Sequence, residues 1–240
     1  MNKLMLMMIV VAICVAGSAQ ALLVWDAADD FHSATNASTD MWQYRSGARD
    51  ATTLLPFQDA SWWSPWTGGV APLGWAVSDD GTPMVVKNAT GADINWNSNV
   101  YVKSNDLLLA PSAGGVNLIS WTSPITGVVD ISWEVIRGQD NANGDGVEYY
   151  VDLNSSTGNI AALSGVLGAA TGNPTTGVLT QTGVAVSAGD EILFIIGSGA
   201  SGAADITSLG NATITEVPEP ATMALLGLGS LVMLRRKKSS

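Results

Sequence analysis

The chain is almost without cysteine: of 240 residues only Cys14 carries a thiol, and it falls in an N-terminal apolar segment. Once that segment is removed, no disulfide, thiol nucleophile or zinc–cysteine site can be built, so core burial or a bound ion must hold the fold. Histidine is nearly missing too. His32 is the single one and stands beside Asp29 and Asp30, where a lone imidazole reads as solvated rather than as part of a metal site or a Ser-His-Asp triad. No P-loop, dinucleotide fingerprint, Gly-x-Ser-x-Gly elbow, His-Glu-x-x-His or Cys-x-x-Cys occurs. Cations are scarce as well: residues 22–216 hold only Arg45, Arg49, Lys87, Lys103 and Arg137 against twenty acids. Nucleic acid is excluded as a partner, since its binding rests on cations that displace phosphate counterions. Divalent cations are attracted instead.

What the chain does have begins with its two ends. Lys3 supplies a positive charge, residues 4–15 an apolar core, and Ala19-Gln20-Ala21 a small-x-small cleavage site. This is the pattern of a secretory signal peptide read by Sec-type export machinery, with cleavage after Ala21. At the other end Val217-Pro218-Glu219-Pro220 precedes fourteen uncharged residues, 221–234, and then Arg235, Arg236, Lys237 and Lys238. The prolines stop secondary structure from crossing the junction, and the four cations hold the terminus on the cytoplasmic side. As a helix the apolar run would be about 21 Å long, short for a ~30 Å hydrocarbon layer. A temporary hold on the inner membrane is expected rather than permanent anchoring.

That C-terminal arrangement resembles the PEP-CTERM sorting signal. The resemblance implies recognition by an exosortase in a Gram-negative-type bacterium and processing near Pro218, Glu219 and Pro220. It further implies transfer to the cell surface or an extracellular polymer matrix. The domain plan is therefore a signal peptide (1–21), a body (22–216) and a sorting segment (217–240).

Within the body, short apolar stretches alternate with Gly, Pro, Asn, Asp and Ser turn signals, and no long amphipathic helix is present. Val129, Ile131, Trp133 and Val135 fall on one face of a strand and Asp130, Ser132 and Glu134 on the other, as in a sheet with one dry and one wet side. The expected fold class is all-β: a single antiparallel β-sandwich of jelly-roll type with a cleaved signal peptide and a short C-terminal transmembrane sorting helix. Residues 107–215 also loosely resemble the lectin-type jelly rolls found in PEP-CTERM cargo proteins, which implies a sandwich with sugar contact and assigns no catalytic residue.

Three features of the body carry chemistry. Trp42, Trp62, Trp63, Trp66 and Trp75 crowd a proline-punctuated region; indoles either fill a core or stack on sugar rings, and Trp62, Trp63 and Trp66 are the candidates for an exposed sugar platform. Asn141, Asn143 and Asp145 follow a calcium-loop spacing with Asp152 at its twelfth position, while the same loop also reads as a hairpin turn using Asn-Gly and Asp-Gly. Glu134 and Glu148, on strands expected to be neighbours, form the one carboxylate pair that a glycosidase could use. No catalytic residue is assigned. Three readings stay open: a structural protein of the cell surface, a carbohydrate-binding module, and a secreted polysaccharide-active enzyme.

Overall fold

The computed structural model describes residues 22–31, 35–58, 74–76, 82–96, 100–139, 145–154, 158–199 and 205–218. The expected signal peptide, the sorting segment beyond Pro218, Trp62, Trp63, Trp66, Asn141 and Asn143 lie outside the described residues.

Sixteen strands are described, and every pairing between them is antiparallel. One sheet is built around β16 (Thr207–Val217), which pairs with β11 (Gly127–Arg137) along most of its length. The other edge of β16 takes β9 (Leu107–Ala110) at its start and β1 (Val24–Asp26) near its end. Outward from there lie β14 (Thr175–Val186) beyond β11, and β6 (Met84–Lys87), β5 (Gly74–Ala76) and β4 (Phe57–Gln58) beyond β9. The second sheet runs β13 (Gly165–Leu167), β12 (Val147–Leu153), β15 (Glu191–Gly197), β10 (Val116–Thr122), β2 (Trp42–Ala48) and β3 (Ala51–Leu54). A separate hairpin joins β7 (Ile94–Trp96) to β8 (Val100–Val102). The architecture is thus a sandwich of two large sheets with an added third, two-stranded sheet.

Alternation places the core. Val129, Ile131, Trp133 and Val135 of β11 meet Ile192, Phe194 and Ile196 of β15 in one continuous apolar cluster, because period-two side chains deliver one face of each strand to the same side. Aromatic rings lock this interior: Trp133 lies 5.5 Å from Phe194 and 5.9 Å from Tyr149, and Trp25 lies 5.0 Å from Trp121. Tilted and edge-on pairs of this kind add about 0.5–1.5 kcal/mol each beyond simple burial. Trp42 and Trp75 are core residues as well, each 3% exposed. Asn117, buried on β10, donates from its amide to the Met84 carbonyl of the facing sheet.

The segment at residues 160–167 divides into a 3-10 turn (Ala161–Leu163) and the strand β13. Thr175, Thr176 and Gly177 open β14. The loop after Arg137 is not a hairpin turn, because β11 and β12 lie in different sheets and the chain crosses from one to the other.

Candidate functional site

Asn36 and Asn88, each the first residue of an Asn-x-Ser/Thr sequence, show how local chemistry is spent on structure. Asn36 donates from its amide to the Tyr44 and Leu55 carbonyls at 2.7 and 2.8 Å and accepts from the Tyr44 N–H at 2.9 Å. It thereby stands in for a strand residue beside β2. Asn88, 2% exposed, donates to the carbonyls of Ala92, Val102 and Lys103. Both amides are fully engaged in holding loops.

Glu134 and Glu148 are not a pair. Glu134 leaves β11 on the side opposite Trp133, hence on the outer face of the first sheet, and Glu148 leaves β12 on the outer face of the second. The core lies between them, since alternate residues of each strand fill it. Glu134 receives hydrogen bonds from Lys103 Nζ at 2.9 Å and Thr175 Oγ1 at 2.8 Å. Burial raises its pKa, but the two hydrogen bonds and the Lys103 charge outweigh burial and hold it below the usual carboxylate range. A carboxylate kept charged in this way is unsuited to act as a general acid. Beside it, Asp106 accepts from Ser208 at 2.7 Å and is pushed up by burial. Lys103 follows β8, so the cluster clamps the β7–β8 hairpin onto the first sheet.

On the outer face of the second sheet, Glu148 accepts the Tyr150 hydroxyl at 2.7 Å. Burial, then this bond, push the phenol up to about 12. Asp152 is fully buried and is taken by Arg49, whose Nη2 lies 2.8 Å from Oδ1 and whose Nε lies 3.1 Å from Oδ2. Asp145 precedes β12 and Asp152 stands near its far end, so strand residues 147–151 hold them apart by roughly 20 Å. The two cannot share an ion, so Asp152 drops out of the expected calcium set. Among the described residues no three His, Cys, Asp or Glu side chains converge as a metal-binding group.

Asp145 is instead brought to the far end of the sandwich, by Gly199 and Asp205. A Cβ built on Gly199 (φ +57°) would fall 2.8 Å from Asp145 Oδ2, so the absence of a side chain at Gly199 admits the carboxylate. Asp205 is 2% exposed. Burial first, and then the Asp145 charge, push its carboxyl up to about 7, opposed in part by Arg137. Sequence reasoning missed Asp205 because the partners that define its environment lie some sixty residues away; only its place between Ser/Gly-rich turns and a strand was legible.

The fold is that of an antiparallel β-sandwich that hands its last central strand directly to the C-terminal segment, with Val217 ending β16 and Pro218 exposed. That segment has a known counterpart: residues 216–238 match the PEP-CTERM protein-sorting motif. No curated protein matches in sequence. Solved structures that resemble the chain include CBM51 from Clostridium perfringens GH95 in complex with methyl-galactose, at 12% identity and a TM-score of 0.38, covering 80% of this chain and 99% of that one. The family 11 carbohydrate-binding module of the cellulosomal cellulase Lic26A-Cel5E of Clostridium thermocellum matches at 12% identity and a TM-score of 0.32, covering 85% and 99%. The K1 cleaved adhesin domain of Lys-gingipain from Porphyromonas gingivalis W83 matches at 10% identity and a TM-score of 0.36, covering 74% and 99%. Among the described residues no helix is long and apolar enough to cross a membrane.

Proposed function

We propose that this chain is an exported, non-catalytic protein of the cell surface or extracellular matrix, held briefly at the inner membrane and then cut near Pro218, Glu219 and Pro220 by an exosortase-type enzyme. The sorting motif at residues 216–238 carries the reading. It is supported by the junction: β16 is hydrogen-bonded into its sheet through Val217, and Pro218 follows at once. With no linker between them, the folded body would sit close against the outer membrane-facing end of the tail while the proline-flanked glutamate stays extended. Arg235, Arg236, Lys237 and Lys238 would keep the terminus inside.

For the body, the reading is a structural or polysaccharide-associated role, with Trp62, Trp63 and Trp66 as its sugar-facing residues. Trp42 and Trp75 are excluded from such a platform by their burial.

Intact-mass measurement of the protein recovered from its native host tests the sorting reading. A mature species that begins after Ala21 and ends near Pro218 to Pro220 is expected. One that still carries Arg235 to Ser240 would make the tail a permanent anchor.

A further inference from the structure

The outer face of the first sheet is polar along the middle of β11 and β16. Asp130 stands opposite Thr215, Ser132 opposite Thr213, and Thr213 opposite Asp26 of β1; the Ser132 and Thr213 hydroxyls meet at 2.8 Å. The face changes character where the chain leaves the sheet. Val128 lies between Val217 of β16 and Ala185 of β14, and Val24 lies opposite Thr215, diagonal to Val217. Because Val129 enters the core, alternation puts all four of these apolar side chains on the outer side.

Exposure marks the same end. Of the seven large hydrophobic side chains exposed among the described residues, five gather here: Leu22, Leu23, Val24, Val128 and Met41. The Leu23 carbonyl accepts the Glu216 N–H at 2.9 Å, and the Met41 carbonyl accepts the Thr122 N–H at 2.8 Å, where β10 gives way to the short turn into β11. Single exposed apolar residues need no explanation, whereas a cluster bounded by polar rows marks a contact surface.

The tail says what this surface meets. Val217 belongs to the patch, and only Pro218, Glu219 and Pro220 separate it from the uncharged run 221–234. Four extended steps allow at most about 14 Å between the Cα atoms of Val217 and Ala221, so a run seated in a bilayer holds the patch at the lipid surface. Charge acts the other way: residues 22–216 carry five cations against twenty acids, and an anionic surface repels such a body.

We propose that this end of the sandwich, centred on Val24, Val128 and Val217, rests on the lipid surface of the membrane that receives the tail, with its apolar side chains at the boundary of headgroups and acyl chains. The inference rests on the sorting reading above. Tethering turns a weak contact into a persistent one by raising its effective concentration, so the patch orients the body while the tail is whole. After the cut the tether is gone, and the acidic body leaves the surface.

The test is site-specific fluorescence on the full chain carrying Cys14→Ser, purified from the membranes of an exporting host and reconstituted into vesicles of phosphatidylethanolamine and phosphatidylglycerol. An environment-sensitive dye is attached to Val128→Cys or, as a control on the polar part of the same face, to Thr180→Cys, since Thr180 is exposed opposite Ser132. Flotation with the vesicles, lost when residues 221–240 are deleted, reads tail insertion separately. In the floated chain the dye at Val128→Cys should shift to the blue and resist quenching by iodide, while the dye at Thr180→Cys stays in water. Val24→Glu should return the Val128→Cys dye toward its value in water with flotation unchanged. A chain that floats with the Val128→Cys dye in water would overturn the proposal and leave the sorting reading standing. Shielding that fades as the chain is diluted in lipid would overturn it in favour of a contact between copies. A chain that does not float would overturn the membrane-held step of the sorting reading and this proposal together.

Discussion

Arg49 grips Asp152 with both a 2.8 Å bond from Nη2 to Oδ1 and a 3.1 Å bond from Nε to Oδ2, and its guanidinium carbon lies 3.8 Å from the centre of the Tyr150 ring. Arg49 follows β2 and Asp152 stands on β12, on the far side of β10 and β15 in the same sheet. The pair therefore ties the end of the β2–β3 hairpin across the outer surface of the sheet. Planar guanidinium suits both contacts at once, a bidentate carboxylate and an aromatic face.

Arg49→Ala is accordingly expected to destabilise the fold by about 3 kcal/mol, the low end for breaking a buried ion pair, since Asp152 would be left charged and enclosed. Asp152→Asn should cost less, because no buried charge survives. Urea unfolding checks this: the midpoint should fall in that order with an unchanged slope.

The pH dependence of stability carries the signature of Asp205. Its folded pKa is raised to about 7 from the 3.8 of an ordinary aspartate, so between those values the folded protein holds a proton that the unfolded chain has released. Its contribution to stability is present below about pH 4 and is lost as pH rises toward 7. Urea unfolding in chelator at stepped pH should show this fall, and Asp205→Asn should remove it. Asp106 is raised in the same direction by burial, so a smaller slope should persist in the variant.

Asn36→Ala should cost roughly 2–3 kcal/mol, because the Tyr44 N–H and the Tyr44 and Leu55 carbonyls lose a shared partner in a part-buried setting. Thermal unfolding of the variant measures it. The same engagement leaves the Asn36 amide no room for a glycan, and the intact mass of the mature protein should show none at this position.

Much of the body was legible because strands announce themselves locally. The alternation of Val129, Ile131, Trp133 and Val135 assigned the dry face of β11 correctly, and the Gly146 backbone does adopt the left-handed conformation (φ +93°) suited to a turn. β2 and β3 were hidden for the opposite reason. Trp42-Gln43-Tyr44-Arg45-Ser46 reads as strand only once Tyr44 and Trp42 have a core to enter, and the tryptophan- and proline-rich stretch that follows obscured their alternation.

The sequence by itself determined the sorting tail and the class of this protein. A Pro-Glu-Pro tail is read by linear order, charge and hydropathy, and a β-rich body by short-range period and turn chemistry, none of which needs distant residues. Only the tertiary structure decided which strand joins which sheet, because pairing partners are chosen by packing across the whole chain. That choice sent β11 and β12 to opposite sheets, put Glu134 and Glu148 on opposite outer faces, gave Asp152 to Arg49, and brought Asp145 to Asp205 across sixty residues of chain.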